Sequence, residues 1–458
     1  MKFHIPCRLG LFFLSLGCVS ASVVNVYGAD RSDSVAVHKL NAGRIFPEQI
    51  QRQKLLDRQK IFTIGGDTTA TSSDSIRALM DIFYTDQYRT ANDPEAPFFM
   101  LMTKDAKLAM GVGGAINFRG WEDWNGVIDS YIFIPYNIPI PKNEAKMKRL
   151  YATAANSGIF FTLLGRNTVV GDFSAYIEGR FNGYNRINFK LVNAYISLKG
   201  FTVGYTYSTF LDAQALPRLV DGGLYGGTID RANILVRYKH SFKKGWSVAG
   251  GLEFPDTYIS DSEPNVEACL PYLPDITGYC QHQWDGGFSH VRLSGMVRTL
   301  SYRNITEGKN HNKTGWGLAL STMIKILRNV TFYGVTSYGA GHGGYISDMS
   351  NGMHDLVGIK DRPGVLEAPK AFSYFVALKY HFRPDLYATA TFTQSRNYET
   401  DPIDLSGYKY GMSGSVNLFW EITPRLSAGC EYMVGKRMNF NGEHGASNRA
   451  ELALRLSF

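Results

Sequence analysis

The sequence predicts an all-β chain closed into a transmembrane antiparallel β-barrel of about sixteen strands, with a short N-terminal extension. Three observations predict it. The chain opens with an export leader and has no later stretch of about 18 apolar residues able to cross a bilayer as a helix. From about residue 106 onward, segments of roughly ten residues alternate between apolar and polar positions. Short turns also alternate with long polar connections.

Composition agrees. Aromatic residues are 13% of the 458, with Tyr and Phe far ahead of Trp, and there are 47 Gly against 17 Pro. Aromatic residues suit pleated surfaces and Gly suits turns. The mean hydropathy is −0.16, too polar for a helical membrane protein. A barrel that turns every second residue toward water has no such requirement.

Residues 1–28 read as a signal peptide. Lys2 and Arg8 precede an apolar run from Leu9 to Val24, and small residues at Val26-Tyr27-Gly28 place cleavage after Gly28. A lipoprotein reading through Cys18 is weaker, because Ser15 stands where a large aliphatic belongs. Removal of the leader lowers the net charge from +8 to +6, Lys2 and Arg8 being its only charges.

Residues 29–95 are polar. Residues 46–61 carry Ile50, Leu55, Leu56 and Ile61 among charges and predict a short amphipathic helix. Asp67 to Ser75 is Thr/Ser-rich, and Ser75 to Tyr84 suggests a second short helix or turn. This region is either a plug at the barrel mouth or a disordered tether.

Residues 96–458 form the expected barrel. Strands are placed near 107–118, 126–135, 157–165, 171–182, 187–198, 200–209, 231–242, 246–255, 288–300, 314–327, 330–340, 371–383, 386–397, 407–422, 425–437 and 447–458. In 171–182, Phe173, Ala175, Ile177 and Phe181 alternate with Ser174, Tyr176, Glu178 and Arg180. The last strand carries Leu452, Leu454, Leu456 and Phe458 on one face and Glu451, Arg455 and Ser457 on the other. A terminal Phe on such a strand is what outer-membrane insertion machinery reads. Closure is required because hydrocarbon offers no partners to the backbone. A propeller would show a repeat of about 40 residues, and none is visible. The connections 256–286 and 341–370 are expected to be long outer loops.

If the apolar face meets lipid, the other face lines the lumen. Arg180, Lys190, Arg231, Arg237, Lys239, Arg292, Arg298, Lys325, Lys379, Arg396, Arg449 and Arg455 fall there, against Asp172, Glu178, Glu253, Glu431 and Glu451. Lys190 sits in a strand that does not alternate cleanly. A low-dielectric wall focuses such charges into a pore, so a cationic excess favours anions. Any single Arg is better explained by a neighbouring Glu with which it braces the wall; the anion preference belongs to the set. Cys269 and Cys280 share one loop-like stretch and are expected to form a disulfide in an oxidising compartment; Cys430 is left alone.

Enzymatic readings are poor. No metal-ligand spacing, phosphate loop or nucleophile constellation stands out, and no cofactor is implied. His342 lies in a Gly-rich turn without strand-to-helix context. The basic residues are spread over strands without a clustered stripe, which argues against nucleic acid.

Three pieces between Ser157 and Phe242 carry a resemblance. They are Ser157-Gly158-Ile159-Phe160-Phe161 followed by Asp172 to Phe181; Lys190 to Tyr195; and Gly204 to Asp212, then Ala215-Leu216-Pro217, then Arg231 to Tyr238. The stretch resembles the DcaP-like family of outer-membrane porins, with Val192 standing where that pattern carries a basic residue. The resemblance implies a homotrimer in outer-membrane lipid and lipopolysaccharide that passes small anionic organic solutes. It also implies an inward constriction loop from Leu211 to Leu219. Asp212 and Arg218 would lie near its narrowest point, with Arg180, Arg231 and Arg237 on the wall. Two other readings stand beside this one. One is an adhesin or structural anchor acting through its long loops, and the other is an outer-membrane enzyme.

Overall fold

The computed structural model describes residues 45–57, 60–64, 80, 82–84, 90–91, 93–103, 105, 107–167, 171–183, 187–222, 226–260 and 263–458. The leader and the Thr/Ser stretch 67–75 lie outside the described residues.

Sixteen antiparallel strands close on themselves. They are β1 Leu108–Trp124, β2 Lys148–Thr153 continued by Gly158–Asn167, β3 Gly171–Asn182, β4 Asn188–Leu198, β5 Phe201–Tyr207, β6 Ala232–Ser241, β7 Trp246–Glu253 and β8 Asp275–Trp284. The circuit continues with β9 Ser289–Asn304, β10 Lys309–Leu327, β11 Val330–Ala340, β12 Lys370–Arg383, β13 Leu386–Tyr398, β14 Tyr408–Glu421, β15 Leu426–Asn439 and β16 His444–Ser457. β16 pairs with β1 from Asn448↔Trp124 to Ser457↔Ala115. Phe458 and Gly114 complete the seam by exchanging backbone hydrogen bonds. No unpaired edge is left in the ring, as hydrocarbon demands.

The alternation sets the two faces. On β3, Ile177 and Phe181 are exposed to the outside while Ser174 and Glu178 are buried inside. On β12, Val376, Leu378, Tyr380 and Phe382 face out, and Ser373, Lys379 and His381 face in. A continuous apolar exterior of this kind is a lipid-facing surface. Lys190 lies opposite Arg180, and Asn193 opposite Glu178, so Val192 between them is a bulge. The extra residue switches the strand's faces, which accounts for its broken alternation. Lys199 and Gly200 join β4 to β5 with both φ positive, at 48° and 87°. Such a two-residue primed turn matches the strand twist.

The strand count agrees with expectation, but two positions are corrected. Residues 126–135 are not a strand. Three prolines follow closely (Pro135, Pro139, Pro141), and Ile128, Phe133 and Ile138 are fully buried inside the barrel. Conversely, the connection 256–286 contains β8. The expected Cys269–Cys280 disulfide is corrected as well, since both thiols are free. Cys280 pairs with Leu293 on β9, while the Cys269 N–H donates to the Ser301 carbonyl. Those anchor points are eight residues apart on one strand, roughly 25 Å, far beyond disulfide reach.

Three loops turn inward from the long-loop end: 125–147, 208–231 and 341–369. Phe133, Phe210, Leu216, Tyr345 and Met349 from them pack with Met296, Phe375 and Met433 of the wall into one apolar cluster. The sequence predicts a long outer loop at 341–370. Instead Tyr345, Ile346, Leu356 and Val357 are wholly buried.

At the short-turn end, the helix α1 Pro47–Asp57 forms within the expected 46–61. Pro47 suits the first helical position, and Gln49 Oε1 accepts the Phe46 N–H at 2.7 Å, half of a capping box. Met80, Ile82, Phe83 and Ala96 pack on Phe160, Leu164, Tyr176 and Tyr195 of the inner wall. No described helix is long and apolar enough to cross a membrane.

Candidate functional site

Residues 208–222 cross the lumen and are pinned at both ends by buried carboxylates. Glu253 on β7 accepts from the Ser208 hydroxyl at 3.0 Å and the Thr209 N–H at 2.7 Å. Asp212 of the loop meets His290 Nε2 at 2.8 Å, accepts from Ser321 at 2.6 Å, and faces Arg292 at 3.6 Å. Across the lumen, Glu431 on β15 accepts the N–H groups of Val220 and Asp221 at 2.7 and 3.0 Å. Arg218 donates to Glu421 and Ser427, both at 2.6 Å, and lies over the Phe419 ring. Burial works against the charge of Arg218, but Tyr387 and Glu421 hold its guanidinium above the ordinary value. Buried polar groups with partners of this number rigidify a segment, so residues 208–222 are a fixed partition.

Space remains on one side of that partition. A cavity of about 100 Å³ lies between Leu219, Val220 and Gly222 of the loop and the wall of β16, β1, β2 and β3. Its charged lining is Arg119, Arg180, Arg218 and Arg455, with no carboxylate among the described residues. It adjoins a larger cavity of about 330 Å³ toward the short turns, with which it shares Arg218 and Arg455. The larger space also holds Lys379, Arg425, Glu48, Asp93, Glu95 and Glu421. The neck is therefore cationic and the vestibule mixed.

Three of these arginines, Arg218 with Glu421 included, are partly neutralised from behind. Arg180 meets Glu178 at 2.5 Å and Asp93 at 2.6 Å. Arg119 lies 3.6 Å from both Asp221 and Glu451 and donates to the Asp221 and Tyr131 carbonyls. The net field in the neck is positive but tempered.

Of the eight expected lining residues, Arg180 and Arg218 meet in the neck. Glu178 braces Arg180 and also accepts from Tyr176 and Asn193. Asp212 and Arg292 clamp the start of the loop, where Arg292 donates to the Leu211 carbonyl at 3.0 Å and to Gln281 at 2.8 Å. Arg298 is held by Asp275 at 2.7 Å and Asp355 at 2.6 Å. Arg231 lies over the Tyr258 and Tyr345 rings at 4.3 and 4.9 Å and donates to the Asp256 carbonyl at 2.8 Å. Arg237 donates to the Tyr207 carbonyl at 3.2 Å. Arg292, Arg298 and Arg231 thus fasten the inward loops 208–231 and 341–369 to the wall, while Arg237 braces one wall strand against the next.

Sequence reasoning missed Arg119. It stands one position past the expected end of the first strand, at 118, and continuing the alternation to Trp124 finds it. It also missed Glu48 and Asp93, whose roles depend on docking. Glu48 lies 2.6 Å from Lys325, 3.7 Å from Lys379 and 3.8 Å from His381. Burial opposes its charge, but Lys379, Lys325 and His381 outweigh that and lower its pKa to about 2.

The family model of the DcaP outer membrane proteins matches residues 103–458. Among solved structures, the outer membrane channel DcaP of Acinetobacter baumannii superposes with a TM-score of 0.66 at 19% identity, covering 78% of this chain and 99% of that one. An anion-selective porin from Comamonas acidovorans superposes at 0.52 with 10% identity, covering 77% and 100%. No curated protein matches by sequence.

Proposed function

The chain belongs to the DcaP family of outer-membrane proteins and is a porin of the bacterial outer membrane, and from that premise we propose that it passes small anionic organic solutes by passive diffusion. The observation that carries this reading is the neck lined by Arg119, Arg180, Arg218 and Arg455. Positive charge in a low-dielectric constriction raises the local concentration of anions. Arginine adds planar forks that grip carboxylates. The neighbouring carboxylates temper the field, which supports a modest preference. Delivery by a cleaved leader of residues 1–28 and assembly as a homotrimer complete the reading, with the apolar exterior supporting contact with lipid and lipopolysaccharide. The test is the reversal potential of the purified protein in a planar bilayer under a salt gradient, before and after neutralising neck arginines.

One observation favours a second reading, a surface anchor with a filled lumen: three loops occupy the interior. That reading places its binding function in the long loops, and much of 341–369 is buried inside instead.

A further inference from the structure

We propose that Lys325, Lys379 and His381 form a carboxylate-binding site in the lumen wall near the short turns, and that Glu48 of the N-terminal helix occupies it as a displaceable latch. Three basic groups from two non-adjacent strands, β10 and β12, converge on the single atom Oε1 of Glu48. Two ammonium groups held this close favour an anion between them, and the His381 imidazole stands beside it. Lys325 Nζ is steadied by Thr331 at 2.7 Å and Lys379 by the face of Tyr387 at 4.0 Å. Glu421, on the same side of the cavity, is already taken by Arg218 at 2.6 Å.

Glu48 fits this site imperfectly. Its second oxygen, Oε2, is buried without a hydrogen-bond partner, which costs free energy that a better-placed carboxylate avoids. Elsewhere the helix and the residues before it also touch the short-turn end, with Arg52 over the Tyr84 ring at 4.6 Å. Gln51 donates to the Pro384 carbonyl at 2.9 Å, Arg328 donates to the Ile45 carbonyl at 2.8 Å, and Phe46 rests on Phe288. Glu48 and Lys379 both line the larger cavity that adjoins the neck. A solute carboxylate leaving the arginine neck therefore meets a second cationic site and competes there with the chain's own carboxylate. That competition rests on the channel reading; the binding site does not.

The experiment measures succinate binding to the purified full-length protein in detergent by calorimetry, with heat-modifiable gel mobility confirming a folded barrel. A nitroxide on Lys54→Cys, in a background with Cys269, Cys280 and Cys430 replaced by Ser because their thiols are free, reports release of the helix. Glu48→Gln is expected to bind succinate roughly tenfold more tightly than the native chain, because the internal competitor is gone. Adding Lys325→Met, or Lys379→Met should the first not fold, removes that gain. In the native background, saturating succinate is expected to mobilise the nitroxide. Equal affinity of the native chain and Glu48→Gln overturns the proposal, and so does tighter binding with an immobile helix. Because binding is read without conduction, a silent bilayer would count against the channel reading alone.

Discussion

Arg449 and Asp123 join the last strand to the first. They are direct ladder partners across the seam. The guanidinium contacts both carboxylate oxygens at 2.6 and 3.2 Å, and both side chains are fully shielded from solvent. Asp123 also receives Arg149 at 3.2 Å. The ring closes chemically as well as topologically at this pair.

Asp123→Ala strands two arginines, one of them fully buried. Breaking a buried pair from one side costs about 3–5 kcal/mol, so the barrel should lose its compact gel mobility at a clearly lower temperature than the native protein. An unchanged transition would show that Asp221 and Glu451, at 3.7 and 3.5 Å from Arg449, carry the seam unaided.

Arg455 lines both cavities beside Arg218. Arg455→Gln with Arg218→Gln should reduce the chloride-to-potassium permeability ratio severalfold. By contrast, Arg231→Glu with Arg237→Glu strikes buried residues that brace loop 341–369 and the wall strand β5, and should lower thermal stability more than it changes selectivity. Reversal potentials and melting curves on both double variants separate the two roles.

The docking of α1 should depend on acid pH. The pKa of Glu48 is depressed from 4.5 to about 2 by Lys325, Lys379 and His381, so its contribution is fully present above pH 4.5. It is lost as pH falls through about 2. Protease cutting within residues 46–57 should rise across that window in the native chain, and Glu48→Gln should lack the dependence.

At the opposite end, Glu399 lines a polar cavity of about 460 Å³ with His354, Asp404 and Arg437. Burial, then the charges of Glu367 and Asp404, raise its pKa to about 7. An acid with a raised folded pKa costs stability progressively from about pH 4.5 up to 7, and the full cost stays above that. Negative charge therefore appears at this mouth as pH rises through 7. Anion preference should fall modestly between pH 6 and 8, and Glu399→Gln should flatten that change.

Where alternation ran the length of a strand, as in residues 171–182, the sequence located it to the residue. β8 escaped because its outward face, with Gly278, Cys280 and His282 beside Ile276, is barely apolar. Residues 126–135 misled for the opposite reason. Val127, Ile128, Phe133 and Ile134 are apolar because they enter an internal core, and local pattern does not distinguish that from lipid contact. The lumen-facing assignment of Arg180 and its fellows followed from parity alone. Which of them meet open space did not, because it depends on where loop 208–231 crosses and on Asp93 and Glu48 arriving from far away in the chain.

The most direct test of an anion-biased passive channel is single-channel recording of the full-length protein in a planar bilayer under a potassium chloride gradient. The predicted result is discrete current steps whose reversal potential lies on the chloride side of zero. A silent membrane despite verified insertion, or a reversal potential on the potassium side, would contradict it.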